Sequence, residues 1–342
     1  MEKVVYFLGA GFSAPLGLPV MSNFLVKSKD QYFGNRSAFA YFLPVFDTIG
    51  ELSRIKNYFT TDLFNIEDIL SVLEMQYHLG HRTGERSFAK YIEDVISHHT
   101  PKIAPSDGVW RRKLFGTDPG AVYGVFVATL LGHSCWLQEP SATSHYRNMP
   151  EEQRAVRQTE YSVVSLNYDL VLESYADFIR WDRRFVRSLE DNQGAQINGA
   201  YLAKLHGSID THDIVPPTWN KTLGGNELSK AWKLAFKLLA EANHIRVIGY
   251  SLPTNDAYVR HLFRAANVES QHLKTFDVLC LDRDGHVKER YDEFVSFRDY
   301  RFKSASVKDY LERHSHQYGG EVFPDRLEFN KLETSHNEFF DE

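Results

Sequence analysis

A β-branched and aromatic run, Val4 to Leu8, stops abruptly at Gly9-Ala10-Gly11. Apolar residues in unbroken succession belong to a strand covered on both faces, and a glycine pair at its end belongs to a tight turn. Both faces of such a strand must be covered, which points to a parallel sheet with helices on each side. Pro15, Gly17 and Pro19 punctuate the next stretch of chain, so the first helix is expected to be interrupted.

The same pattern returns later. Ser162 to Leu166, Tyr201 to Leu205, His244 to Ile248 and Phe276 to Leu281 read as further strands. Helical periodicity lies between them: Asp169 to Tyr175, Leu228 to Ala242, Ala257 to Ala266, and a helix from His286. Repeated strand–helix units imply an α/β fold built on a Rossmann-like parallel sheet. From about Phe39 to Trp136 the periodicity is helical, with Asn65 as an N-cap before Ile69, Leu70, Val72 and Leu73. The expected division is a sheet core at 1–35 and 155–310, a helical insertion at 36–154, and an acidic tail at 311–342.

In α/β sheets, ligands sit beyond the carboxyl ends of the strands. Gly9-Ala10-Gly11-Phe12-Ser13-Ala14 fits G-x-G-x-x-A, a turn that lets backbone approach a diphosphate. The dinucleotide pattern also calls for an acid about 20 residues on, ending a second strand. Asp30 has the distance, but Met21 to Asp30 lacks strand character. The later strands end in Asn167-Tyr168-Asp169, His206-Gly207-Ser208, Gly249-Tyr250-Ser251 and Asp282-Arg283-Asp284. Each has a plainer reading. Asn167, Asp169 or Asp282 could cap a helix, His206 could be a core histidine, and Gly249 could be a turn. Their joint placement at strand ends favours a ligand site.

Here the sequence resembles a family. Gly9-Ala10-Gly11-Phe12-Ser13, Asn167 with Asp169, Leu205-His206-Gly207 and Gly249-Tyr250-Ser251 look like sirtuin-type NAD-consuming enzymes. The chain is more closely similar to the bacterial sirtuin-like proteins of anti-phage defence. They carry stretches like Asn65-Ile66-Glu67-Asp68-Ile69-Leu70, Pro216-Pro217-Thr218-Trp219-Asn220-Lys221 and Gly249 to Pro253 with Asp256. The resemblance spans about Val4 to Asp284.

That likeness implies a sirtuin/DHS-like NAD-binding fold and an NAD glycohydrolase that depletes NAD in antiviral defence. Asn167 and His206 would be catalytic. Gly9, Ala10, Gly11 and Ser13 would hold the diphosphate. Asp169 would support the Asn167 loop, and Gly249, Tyr250, Ser251 and Asp282 would bind the cofactor, mainly its adenosine half. It also implies a homo-oligomer or an activating partner such as a HerA-type ATPase. Two departures bear on the chemistry. Protein-deacylating sirtuins carry a four-cysteine zinc module, whereas this chain has Cys135 and Cys280 alone, so no zinc is expected. Leu166 stands where those enzymes have Gln. A non-catalytic NAD- or ADP-ribose-binding module and an NAD-dependent protein deacylase remain alternatives.

Charge bears on partners. The net charge of −6 argues against direct nucleic-acid binding. Most of it lies between Glu321 and Glu342, which sum to −5 and carry Phe323, Phe329, Phe339 and Phe340. This end reads as solvated, or as a docking segment for a subunit or partner. No basic leader and no long apolar run are seen, so a cytoplasmic protein away from membranes is expected.

Overall fold

The computed structural model describes residues 1–56, 58–59, 62–82, 87–103, 121–132, 159–179, 184–189, 199–216, 226–254, 256–316 and 331–342. Cys135, residues 217–221 of the proline-containing stretch, and Phe323 and Phe329 of the acidic end lie outside them.

The first strand, β1 (Glu2–Leu8), runs into a four-residue helical turn, α1 (Ala10–Ser13), and a 3-10 turn at Ala14–Leu16. Pro15 sits within the first two residues of that 3-10 turn, and Gly17 ends it at φ 89°. The interruption expected from the prolines is therefore present. No strand comes next. Residues around Asp30 form α2 (Phe24–Gly34), with Asp30 exposed. The ribose-binding acid of a standard dinucleotide fold has no counterpart there.

Helices α3 (Leu43–Ile55), α4 (Ile66–His78), α5 (Phe88–His99) and α6 (Ala121–Leu130) come after it. The Asn65 side chain accepts from the N–H groups of Glu67 and Asp68, as its sequence position predicts for a cap. The rest of the chain alternates: β2 (Thr159–Ser165), α7 (Val171–Ile179), β3 (Arg184–Val186), β4 (Gly199–Lys204), α8 (Asn226–Ala240) and β5 (His244–Ile248). It continues with α9 (Ala257–Glu269), β6 (Thr275–Leu279), α10 (His286–Phe294), β7 (Tyr300–Lys303), α11 (Val307–His316) and α12 (Lys331–Asp341).

Among the described residues, seven strands form one sheet in the order β3-β4-β2-β1-β5-β6-β7. All six pairings are parallel. This is the Rossmann-like α/β sheet that the apolar runs imply. Strands β3 and β7 were not legible as strands. They are short edge strands whose residues are at most half-buried, so no continuous apolar run marks them.

β1 alternates between two cores. Val4, Tyr6 and Leu8 face one that includes residues of α2 to α7, α11 and α12. Val5 and Phe7 face another that includes residues of α8, α9 and α10. Burying each such side chain is worth about 1.5–3 kcal/mol. The chain leaves β1 toward β2 on one side, then crosses back to β5 on the other. This reversal is the topological switch point where ligands of open α/β sheets bind. Leu8 pairs with Ser165 and with Ile248, so three strand ends stand level there.

The acidic end is not a solvated tail in its last turns. Helix α12 buries Leu332, Ser335, His336 and Phe339. Among the described helices, none is long and apolar enough to cross a membrane.

Candidate functional site

At the switch point the two glycine turns interlock. Gly9 N–H donates to the Ile248 carbonyl at 3.0 Å, and Gly11 N–H to the Gly249 carbonyl at 2.9 Å. A Cβ at Gly11 would meet Gly249 Cα at 2.8 Å, and one at Gly249 would meet Phe12 N at 2.3 Å. Gly249 also adopts φ +68°, a left-handed conformation that favours glycine. Gly9 and Gly11 shape the interlock of the strand ends. Their N–H groups bond the neighbouring strand end. Gly249 likewise serves this packing. Ala10 remains the exposed residue of the turn, and Ser13 is buried beneath it.

Asn167 reaches across from the end of β2. Its side-chain Nδ2 donates to the Gly9 carbonyl at 3.0 Å and to Ser13 Oγ at 3.3 Å. Its own N–H is held by Ser165 Oγ at 3.1 Å. Asn167 therefore binds the glycine turn instead of capping a helix. Asp169 takes the capping part, accepting from Val171 N–H at 3.0 Å. Burial raises the Asp169 carboxyl above its ordinary range, against the Lys204 charge, the Val171 N–H and a Ser13 hydrogen bond, which all hold it down. Gly9, Ser13, Asn167 and Asp169 thus form one connected group.

Helix α6 buttresses this group from the side. The Tyr123 hydroxyl donates to the Phe12 carbonyl at 2.6 Å, and the two rings pack edge to face at 5.2 Å.

His206 comes just after β4 and is buried, with its ring 5.9 Å from that of Tyr168. Tyr168 lies between Asn167 and Asp169, so the two loops meet through this ring pair. Gly207 is next at φ +84°, where a Cβ would strike the Asp213 carbonyl at 2.2 Å. A side chain at 207 is excluded, and the His206 loop keeps its sharp turn. The Tyr168 hydroxyl donates to the Val215 carbonyl at 2.8 Å, and Val215 N–H donates to the His206 carbonyl at 2.9 Å.

Two expected cofactor-binding residues have other employment. Tyr250 is buried against Phe7, and its hydroxyl donates to Asp256 Oδ2 at 2.8 Å. It is a core residue of the β5 loop. Asp282 caps α10, accepting from Gly285 N–H at 3.1 Å, Val287 N–H at 3.2 Å and Lys288 N–H at 2.9 Å. Partial burial raises this carboxyl, and those N–H groups more than offset it, leaving it below its usual range. The capping alternative holds for Asp282 because a carboxylate ending a strand is also well placed to take the next helix's orphan donors. Ser251 is half-buried, and its carbonyl accepts from Arg290 Nε at 3.1 Å. The next residue, Leu252, is fully buried at φ 50°, a costly conformation for a branched side chain.

Sequence reasoning passed over Lys204. It is 6% exposed, and its Nζ contacts both the Asn167 loop and Ser208. A lysine within the apolar run Tyr201 to Leu205 was the available signal, since lysine is almost never buried unless paired. A cavity of about 10 Å³ beneath the strand ends is lined by Ser165, Asn167, Asp169, Glu173 and Lys204, among others. Among the described residues, no group of three or more His, Cys, Asp or Glu side chains is arranged to hold a metal ion. Burial pushes the Cys280 thiol up to about 12, which keeps it protonated and inert.

No protein-family model matches the chain. No curated protein matches it either. Among solved structures, it is similar to Sir2 in complex with the inhibitor EX-527, 2′-O-acetyl-ADP-ribose and a deacetylated p53 peptide. That alignment covers 93% of this chain and 94% of the other, at TM-score 0.37 and 12% identity. Sir2Tm bound to a propionylated peptide aligns over 93% of each chain, at TM-score 0.37 and 14% identity. A Sir2 complex with p53 peptide and NAD+ also covers 93% of each, at TM-score 0.37 and 13% identity. Superpositions this loose add nothing to the fold that the strand order defines.

Proposed function

We propose that this protein is an NAD glycohydrolase, releasing nicotinamide and ADP-ribose. The observation that carries the reading is the bridge from Asn167 to the Gly9 carbonyl and Ser13 hydroxyl, at the sheet's switch point. It joins the motifs that resemble sirtuin-type enzymes at the place where such a sheet binds nucleotides.

The bond defines the chemistry. The glycosidic C–N bond breaks with its electron pair leaving on nicotinamide, which becomes neutral. The transition state is oxocarbenium-like. Water attacks the anomeric carbon and gives up a proton. In this proposal Ala10 faces the diphosphate, Ser13 supports that turn from beneath through Asn167, and Gly9, Gly11 and Gly249 give the turn its shape. Asn167 orients the ribose or the attacking water. His206 takes the proton as general base. Asp169 supports the Asn167 loop.

Depletion of NAD in antiviral defence, assembly into an oligomer and activation by a partner such as a HerA-type ATPase belong to the same proposal. They rest on the motif resemblance. Incubation of the purified protein with NAD, with and without proteins encoded by neighbouring genes, tests the activity. Nicotinamide and ADP-ribose are the expected products. NAD binding without nicotinamide release in either condition would make the chain a binding module.

A further inference from the structure

We propose that Lys204 is a positioning residue that clamps the Asn167 loop to the His206 loop. The inference rests on the NAD glycohydrolase reading for its kinetic part alone.

Lys204 ends β4, paired in register with Ser165 at the end of β2. Each strand then continues into one of the two loops. The Lys204 ammonium donates to the Asp169 carbonyl, and Tyr168 O lies 3.5 Å away. Both belong to the loop after β2. The ammonium also donates to Ser208 Oγ at 2.9 Å, in the loop after β4. A contact with Glu173 Oε1 at 3.3 Å supplies a counter-charge from α7. An ammonium has three protons and no acceptor, so it can tie two loops and a helix at once.

The tie extends outward. Glu173 also pairs with Arg187 at 2.5 Å, and Arg187 with Asp210 at 3.0 Å. Asp210 lies close after Ser208 in the chain. The His206 loop is therefore held by a hydroxyl on the inside and a carboxylate on the outside. Both reach Glu173 through a cation.

Burying an ammonium costs several kcal/mol, and apolar replacements of buried ion pairs are often no less stable. The gain expected from this lysine is therefore geometric. It sets the separation of two side chains that carry different parts of one reaction. Displacement of reacting groups by about 1 Å can cost about 100-fold in rate.

Lys204→Met and Ser208→Ala test the clamp in the full-length chain. Glu173 keeps Arg187 in both, so neither leaves that acid without a counter-charge. Hydrogen exchange of residues 166–170 and 205–209 is the direct readout. Faster exchange in both segments, with α9 and α11 unchanged, is expected for Lys204→Met. For Ser208→Ala the faster exchange should be confined to 205–209. Unchanged exchange in a folded Lys204→Met protein would overturn the clamp, whatever the activity. In the NAD assay, Lys204→Met should lower kcat about 100-fold while KM stays within about threefold. A rise in KM at unchanged kcat would also overturn it. If the wild-type protein releases no nicotinamide, the enzymatic reading fails, and the exchange data still decide the clamp.

Discussion

The Asn167 amide donates to the Gly9 carbonyl at 3.0 Å, joining the ends of two strands that are neighbours in the sheet but 158 residues apart in the chain. Gly9 O keeps a second donor, Phe12 N–H at 2.9 Å. Loss of the Asn167 side chain therefore leaves no carbonyl orphaned, and should cost only about 1 kcal/mol of stability. Catalysis should suffer far more. Asn167→Ala should retain its fold by circular dichroism and lose about 100-fold or more in nicotinamide release. Turnover like wild type in the folded variant would remove Asn167 from the reaction. Asn167→Asp should be less stable than Asn167→Ala, because a carboxylate oxygen would face the Gly9 carbonyl.

Gly249 and Gly17 separate two reasons for a glycine. Both have positive φ, +68° and +89°. A Cβ at Gly17 meets nothing within 4 Å, whereas at Gly249 it meets the backbone of Gly11 and Phe12. Gly17→Ala should cost about 1–2 kcal/mol, the left-handed penalty alone. Gly249→Ala should cost at least about 3 kcal/mol, since the β1 turn must also move. Urea midpoints of the two variants check the difference. Equal losses would mean that the interlock yields easily.

The strands covered on both faces were legible because they write themselves as apolar runs. Asn65 was legible because a cap needs only its own next turn. Tyr250 and Asp282 were ambiguous for a common reason. A polar group after a strand looks the same in sequence whether it meets a ligand, caps a helix or bonds a buried acid. Lys204 and Arg246 each break an apolar run, but the acids that meet them come from other elements: Glu173 is 31 residues from Lys204, and Glu333 is 87 from Arg246. Such pairings depend on the folded sheet, and nothing local announces them. The acidic end misled similarly, since its charge reads as solvated until Glu333 has a buried partner.

Arg246 is 2% exposed at the centre of β5, and Glu333 on α12 meets it with both oxygens, at 2.9 and 2.5 Å. Tyr6 OH also accepts from the guanidinium, and Tyr161 OH donates to Glu333. Burial raises the Glu333 carboxyl, and the Arg246 charge and hydrogen bonds pull it below its ordinary range. Removing one partner leaves a buried charge uncompensated. Glu333→Ala should therefore destabilise the protein by about 3–5 kcal/mol. The double variant Arg246→Met/Glu333→Leu should recover most of that loss. A double-mutant cycle by urea unfolding checks both statements, and additive losses would show that the pair is not coupled.

His336 makes the same helix a source of pH dependence. Burial, aided by the nearby Arg246 charge, pushes its imidazole down to about 4, although Nε2 lies 3.0 Å from Asp277 Oδ2. Burial raises the Asp277 carboxyl, but hydrogen bonds from His336 and, at 2.7 and 3.0 Å, from Arg301 hold it well below its ordinary range. In the unfolded chain the histidine titrates near its ordinary value of about 6.5. Between about 6.5 and 4 the unfolded state thus binds a proton that the folded state refuses. Stability should fall as the pH drops through that window, by up to about 3 kcal/mol from this group. His99 and His244, also lowered by burial, add losses of the same sign. His336→Gln cannot take up the proton in either state. Its unfolding free energy should therefore fall less steeply than wild type between pH 6.5 and 4. Parallel slopes for the two proteins would mean that folding does not lower the His336 imidazole.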